Sequence, residues 1–283
     1  MRRKTIAVLL HARDTRFTSI KYLLGPLLKE WEGMGFDIQI LSGMKRFVAA
    51  DLVICHVDLT VVPADYRAFL DRYPVVVNRN LVDISKTVVS DNILDEADGY
   101  LGSVIVKTNH NAAGLPERRL LSYRLHDSLP MRAARRAGRM LGARRPDHGY
   151  SVFPSLAAVP RRVFADRTLI VERFLPEVEG DTYHVRGWYC FGDREFNIVL
   201  RSKDRIVKGE TCIDVSEAPV PLEFRHIRER FRCDFGKLDY VLRNGEVVLF
   251  DVNRTPVIHA LAQGGLVEKA ARHLAGGIWS MLR

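Results

Sequence analysis

The run Lys237-Leu238-Asp239-Tyr240-Val241-Leu242-Arg243-Asn244-Gly245-Glu246-Val247-Val248-Leu249-Phe250-Asp251-Val252-Asn253 holds two apolar stretches on either side of Asn244-Gly245. Asn-Gly between β-rich runs is a strong signal for a tight hairpin. Asp239, Asp251 and Asn253 break the apolar pattern. Acids are poor strand formers, and burying one is costly unless it is paired or bound to a metal. With a two-residue turn, Asp239 falls opposite Phe250 and the two acids point to opposite faces, because side chains alternate along a strand. A three-residue loop, Arg243-Asn244-Gly245 with Gly245 left-handed in a bulge, moves the pairing by one. Asp239, Val241, Val247, Leu249, Asp251 and Asn253 are then expected on one face. Two carboxylates and an amide oxygen form the hard donor set that Mg²⁺ takes, usually with substrate phosphates. The competing reading makes Asp239 a strand cap and 251–254 a polar strand end.

Upstream, strands alternate with helices. Strands are predicted at 4–10, 36–41, 51–57 and 74–77, and helices at 18–33 and 66–72. The helical evidence at 18–33 is the recurrence of Ile20, Leu23, Leu24, Leu27, Leu28 and Trp31 at three and four residues. Such alternation implies an open parallel sheet, and these bind ligands at the carboxyl ends of their strands. His11, Arg13, Asp14, His56 and Asn78 are therefore expected near a pocket. A helix is predicted over 82–97 and a strand over 100–106. That strand runs into Lys107 and the small polar loop 108–114, a combination that suits phosphate. Residues 115–149 read as helical and basic, 167–171 as a strand, and 183–191 with 196–201 as a second hairpin. Residues 215–229 read as loop then helix. An amphipathic helix broken near Gly276-Gly277 closes the chain.

At 283 residues, 47% of them hydrophobic, the chain can bury a full core without staples. No apolar run reaches the roughly 20 residues of a membrane helix. The apolar run 5–10 behind Met1-Arg2-Arg3-Lys4 is too short for a signal peptide, so a cytoplasmic protein is expected. Cys55, Cys190, Cys212 and Cys233 have no paired spacing and read as buried, reduced thiols. The net charge of +9 is concentrated: between Pro116 and Arg167 stand twelve arginines against four acids. An anionic partner is the functional reading of that segment, and a solvated face is the alternative.

The order of these features resembles the ATP-grasp superfamily, whose carboxylate–amine ligases include D-alanine–D-alanine ligase and glutathione synthetase. The most specific part is Phe235 to Tyr240 through Leu249 to Pro256. The resemblance spans the whole chain. It implies an α/β fold, α+β in its C-terminal part, with a small open parallel N-terminal domain and two antiparallel-sheet subdomains clasping the nucleotide. The expected boundaries are 1–82, 83–174 (a lid subdomain with the Arg-rich insertion) and 175–283 (a subdomain with the Mg²⁺ site). ATP and Mg²⁺, or Mn²⁺ in its place, are the implied cofactors. Lys86 and Lys107 match the phosphate-contacting lysines. Ile170 to Leu175 match the adenine hinge, which takes in Glu172, Arg173, Phe174 and Leu175. Glu179 or Asp181 holds the ribose. Asp239, Asp251 and Asn253 match the metal ligands, and Arg201 with Lys107 is implied in catalysis. Three positions depart from the family pattern. Asp251 stands where Glu is usual, Gly114 is the only glycine in the loop after Lys107, and Val257 replaces a common glycine.

The resemblance implies that a carboxylate is phosphorylated to an acyl phosphate and then attacked by an amine or similar nucleophile. Charge neutralisation and positioning carry such chemistry, and no enzyme nucleophile is required. The expected partners are a small-molecule or peptide acid, anionic if the arginines serve it, and an amine. A homodimer accords with the family; membranes and nucleic acid are not expected. Two rival functions remain: a kinase that stops at phosphoryl transfer, and a non-catalytic protein gripping nucleotide or nucleic acid.

Overall fold

In a computed structural model of the chain, residues 3–17, 21–121, 150–209 and 211–283 are described. Strands β1 (Thr5–Leu10), β2 (Asp37–Ser42), β3 (Leu52–Cys55) and β4 (Val76–Val77) form a parallel sheet in the order β2-β1-β3-β4. The central strand β1 is buried from Ile6 onward, as a strand covered on both faces should be. One covering helix runs Leu24–Gly33, later than the periodicity suggests. Pro26 explains the start: its ring is tolerated in a first turn, where its missing N–H is not needed, but not inside a helix. The other face carries the helix Ala64–Leu70.

The helix expected over 82–97 shrinks to Lys86–Val89. Beyond it the Ser90 hydroxyl accepts the Asn92 N–H at 3.2 Å, and the Leu94 N–H donates to the Val171 carbonyl. Pairing with a neighbouring strand has overridden local helix propensity. That neighbour belongs to an antiparallel sheet, β6-β5-β7, formed by β5 (Val104–Thr108), β6 (Ser151–Phe153) and β7 (Leu169–Arg173). Of the basic stretch 115–149, the helix Leu115–Leu120 is present, and the expectation for 122–149 lies outside the described residues.

The third sheet is antiparallel, ordered β11-β10-β9-β12-β13, with β8 (Glu177–Glu179) alongside β9 (Thr182–Phe191). β10 spans Arg194–Ser202, β11 Cys212–Glu217, β12 Phe235–Arg243 and β13 Glu246–Asn253. The β12–β13 hairpin corrects the expected register mechanism. Its turn has two residues, Asn244 (φ 55°) and Gly245 (φ 85°), with Arg243 opposite Glu246. The extra residue sits near the far end instead: Tyr240 pairs with Leu249 but Asp239 with Asp251, so Phe250 is bulged. Asp239 and Asp251 thus share a face, joined by Val241, Val248 and Phe250. Val247 and Leu249, expected beside them, pack into the core on the other side.

Beyond the hairpin, the terminal helix is three pieces, His259–Gln263, Val267–Ala275 and Ile278–Met281, divided at Gly264-Gly265 as well as at Gly276-Gly277. At Gly277 a Cβ would lie 1.9 Å from the Phe191 carbonyl oxygen, so only glycine lets the chain pass the end of β9. The helices 24–33 and 267–275 fill the space between the parallel and the six-stranded sheets in one continuous core. There Trp31 Nε1 donates to the Ala275 carbonyl at 2.9 Å. The three-stranded sheet has its own small core.

The five residues expected at a pocket beside the parallel sheet serve packing, hydrogen bonding or ion pairing, as Asp14 does 3.6 Å from Arg119, and none lines the cavity described below. Asn78, left-handed at φ 64°, accepts the N–H groups of Asp234 and Phe235 and donates to the Phe235 carbonyl, bracing β4 against β12. His56 is fully buried, edge-on to Tyr22 (4.7 Å) and Phe17 (5.4 Å), with neither ring nitrogen hydrogen-bonded. Burial lowers its pKa from 6.5 to about 4. A depressed histidine binds its proton more readily in the unfolded chain. Stability is therefore full above pH 6.5 and is lost as pH falls toward 4, by about 3 kcal/mol in all. Urea unfolding at pH 7 and pH 4.5 should show that dependence for the wild type and a shallower one for His56→Phe. Of the cysteines, Cys55, Cys190 and Cys233 are buried as expected, while Cys212 is half-buried; all are free thiols.

Candidate functional site

A cavity of about 430 Å³ lies between the three-stranded and six-stranded sheets. β5 supplies Ile105 and Lys107, and β7 supplies Glu172 and Arg173. β9 supplies His184 and Tyr189, β12 Lys237, Asp239 and Val241, and β13 Val248, Phe250 and Asp251. The connection Phe174-Leu175-Pro176, which carries the chain from one sheet to the other, forms one wall. β7 runs two residues further than predicted, so Glu172 is a strand residue opposite Ile105.

Three lysine–carboxylate pairs organise the cavity. Lys107 Nζ lies 2.6 Å from Glu172 Oε2, Lys86 Nζ 3.2 Å from Asp251 Oδ1, and Lys237 Nζ 2.6 Å from Asp239 Oδ1. Lys107 also lies 4.8 Å above the Phe250 ring. Burial works against the charge of Lys86, yet Asp251 outweighs it and the pKa is raised. The same balance holds for Lys237, with burial opposed by Asp239. Asp239 is itself raised, by burial and by Asp251 across the hairpin, against the pull of Lys237. Glu172 is 1% exposed and its Oε1 has no hydrogen-bond partner. Such a site is costly to the fold, and clusters of this kind mark functional positions.

Among the sequence-predicted residues, the fold brings Lys86, Lys107, Glu172, Arg173, Phe174, Leu175, Asp239 and Asp251 to this one cavity. Four others stand apart from its lining. Glu179 is 80% exposed and pairs with His184 at 3.7 Å, and Asp181 is 83% exposed and pairs with Lys203. Arg201 turns to Asp214 at 2.5 Å and to Ser216 Oγ at 2.8 Å. Asn253 follows Asp251 on β13 by two residues, but its Oδ1 accepts the Thr255 N–H at 2.9 Å and Asn111 Nδ2 at 3.4 Å.

The donors fit a hard divalent cation in kind. Asp239 and Asp251 are directly opposed across the hairpin, a like-charge placement that is unfavourable unless a cation sits by it. Among the described residues no three His, Cys, Asp or Glu side chains converge, so the set is two carboxylates with Asn253 beside them. The loop after Lys107 becomes a turn at Asn111–Gly114, in which Ala112 (φ 44°), Ala113 (φ 55°) and Gly114 (φ 69°) are all left-handed. For the alanines this costs about 1 kcal/mol each, a strain held at the cavity wall.

Sequence reasoning missed Lys237, His184, Arg205 and Lys208, all of which line the cavity. Lys237 had a signal: it stands two residues before Asp239 and so shares its face. Arg205 and Lys208 sit in the loop between β10 and β11, where spacing carries no information about direction. Arg205 lies 5.2 Å over the Phe174 ring and Lys208 5.4 Å over Tyr150.

No family model and no curated protein matches the sequence. Solved structures do match along the whole chain. VanG D-Ala:D-Ser ligase from Enterococcus faecalis shares 13% identity, with 100% of both chains covered and a TM-score of 0.52. D-alanine–D-alanine ligase from Bacillus anthracis, complexed with ATP, shares 11% identity over 99% of this chain and 97% of that one, with a TM-score of 0.50. The ATP-grasp ligase PsnB, in complex with a precursor variant, Mg and ADP, shares 10% identity over 100% of both chains, with a TM-score of 0.50. A parallel sheet followed by two antiparallel sheets that enclose a lysine- and carboxylate-lined cavity, together with these full-length matches, establishes that this chain has the ATP-grasp fold.

Proposed function

We propose that the chain is an ATP-dependent ligase that activates a carboxylate as an acyl phosphate and joins it to an amine or similar nucleophile. The observation that carries this reading is the convergence of Lys86, Lys107 and Lys237 with Asp239 and Asp251 in a cavity between two antiparallel sheets. Residues 1–82, 83–174 and 175–283 act as three units in this reading, the second closing over the third. The helix Leu115–Leu120 ties the second unit to the first, since the Glu117 carboxylate accepts the Thr60 N–H at 2.7 Å and Leu120 joins the core beneath helix 64–70.

Adenine lies against Phe174-Leu175-Pro176. The Arg173 and Phe174 N–H groups already donate to the carbonyls of Asn92 and Ser103, which directs the ring edge to Leu175. Lys86 and Lys107 hold the phosphates. Asp239 and Asp251, with Asn253, hold Mg²⁺, which when bound spreads the charge of the phosphate oxygens and orients the terminal phosphate. Lys237, two residues before Asp239, takes the part of the cation that steadies the transferred phosphoryl group. Phosphorylation converts the acid's oxygen into a phosphate leaving group. The amine then attacks the acyl carbon and inorganic phosphate departs. The sheet-bounded cavity limits the water that competes for that intermediate.

ADP release assayed against a panel of acids and amines tests the reading: turnover should require both, and a panel giving none in the presence of saturating MgATP counts against it. Lys237→Met should lower turnover on the order of 10²-fold, the scale of one lost transition-state electrostatic contact. Arg201→Ala should stay within about threefold of wild type, since a surface pair contributes little. Equal losses in the two variants would return the phosphoryl-holding role to Arg201.

A further inference from the structure

The cavity carries a feature beyond its fit to a nucleotide: each candidate metal carboxylate is already occupied by a lysine of the same chain. Lys86 Nζ donates to Asp251 Oδ1, and Lys237 Nζ sits on Asp239 Oδ1. These are not flexible surface pairs. The Lys86 side chain is 3% exposed and that of Asp251 20%, while Lys237 and Asp239 are each 18% exposed. A third pair, Lys107 with Glu172, completes the set, so three ammonium groups face three carboxylates, and Arg173, Arg205 and Lys208 are the further cations of the lining.

We propose that Lys86 and Lys237 are internal counter-ions, holding Asp251 and Asp239 until a polyphosphate draws the two ammonium groups away, so that the hairpin accepts a divalent cation only together with that polyphosphate. The inference rests on the MgATP reading above and adds an interdependence between its two ligands. The physical cause is the cost of unbalanced charge away from water. A divalent cation arriving alone meets carboxylates that each already hold an ammonium group on Oδ1, and adds two positive charges beside those ammonium groups. A polyphosphate arriving alone finds the ammonium groups committed and adds several negative charges. Arriving together, each supplies the partner that the other displaces: the cation replaces the lysines on the carboxylates, and the phosphates replace the carboxylates on the lysines. Lys86 has a second anchor for the exchange, since its Nζ also donates to the His110 carbonyl at 3.3 Å. That carbonyl leads into the strained turn 111–114, whose Ala112 and Ala113 line the same cavity.

The test is equilibrium binding of Mn²⁺ read by electron paramagnetic resonance, with the full chain, in the absence and presence of the β,γ-imido analogue of ATP. Analogue binding in EDTA and Mn²⁺ chelation by the analogue in solution complete the thermodynamic cycle. In the wild type, Mn²⁺ alone should bind weakly, and binding of the two ligands together should exceed what solution chelation accounts for. Lys86→Met should tighten Mn²⁺ binding in the absence of nucleotide by about tenfold or more, because one unit of competing charge leaves the carboxylate, and should weaken analogue binding in EDTA by a similar factor. Lys237→Met should act in the same two directions, and a melting curve checks that both variants are folded. Wild-type binding of Mn²⁺ alone as tight as in the presence of the analogue overturns the proposal, as does a folded Lys86→Met with unchanged or weaker Mn²⁺ affinity. Failure of the nucleotide reading is distinct: the analogue then does not bind wild type even with Mn²⁺, while tightening of Mn²⁺ alone in the two lysine variants still reports on the ion pairs.

Discussion

Asp251→Asn should abolish ligase turnover, lowering kcat on the order of 10³-fold in a variant that still melts cooperatively as a folded protein. The substitution keeps the shape of the side chain and removes its charge. Asp251 stands opposite Asp239 through the bulge at Phe250, and Glu246, the other carboxylate of β13, stands at the turn outside the cavity lining. Removing it leaves one carboxylate for the cation and releases Lys86, so both the metal and the phosphate ends of the site lose definition. Asp251→Glu, which restores the residue usual at this point of the family pattern, should retain a measurable fraction of activity. ADP formation under saturating substrates, with a parallel thermal melt, decides the matter. An Asp251→Asn enzyme that turns over within tenfold of wild type removes the carboxylate from the proposed mechanism.

Arg254→Leu should destabilise the fold by about 3–5 kcal/mol, the cost of breaking a buried charged hydrogen-bond cluster from one side. Arg254 is fully buried directly after the β12–β13 hairpin. Its Nη1 donates to the carbonyls of Leu81 at 2.6 Å and Val82 at 3.2 Å, and its Nη2 to those of Leu59 and Thr60. One planar guanidinium thus joins two loops that leave the parallel sheet to the end of β13, and burial lowers its pKa. Leucine removes the donor of the buried Leu59 and Leu81 carbonyls, while those of Val82 and Thr60 keep the N–H groups of Val62 and Ile84. Lysine should not rescue the site, because a single ammonium group cannot fork to two loops. A drop in melting temperature of roughly 10 °C is expected for each variant, and a shift under 2 °C refutes the role. Loss of turnover should follow the unfolding, since Thr255, next in sequence, donates through Oγ1 to Asp58 at 2.7 Å and through N–H to Asn253.

Much of the architecture was legible without coordinates, and for identifiable reasons. Alternation of apolar strands with a 3-and-4 periodic helix specifies a parallel sheet with covered faces, and Asn-Gly between two Val-rich runs specifies a hairpin. These are local signals, read within a few residues. The helix predicted over 82–97 failed because its fate depends on a strand nearly eighty residues away: Leu94 pairs with Val171, and no window of sequence contains both. The position of the bulge failed for a related reason. Turn chemistry and strand length permit either placement, and only packing of Leu249 and Val252 into the core against Trp188 and Leu238 selects Phe250 as the extra residue.

Residue identity by itself determined which groups are present to do chemistry: Lys107, Asp239 and Asp251 stand in or at the end of apolar runs, where such residues are too costly to be incidental. Direction was decided by the tertiary structure alone. Arg201 and Asp181 find partners outside the cavity, and the exposed Glu179 stands apart from the lining with only its partner His184 in it. Lys237, unremarked in the sequence, faces inward onto Asp239. A strand's side chains alternate with period two, so one bulge or one twist of the sheet moves a charge from solvent to site, and that choice is made by what packs on the opposite face.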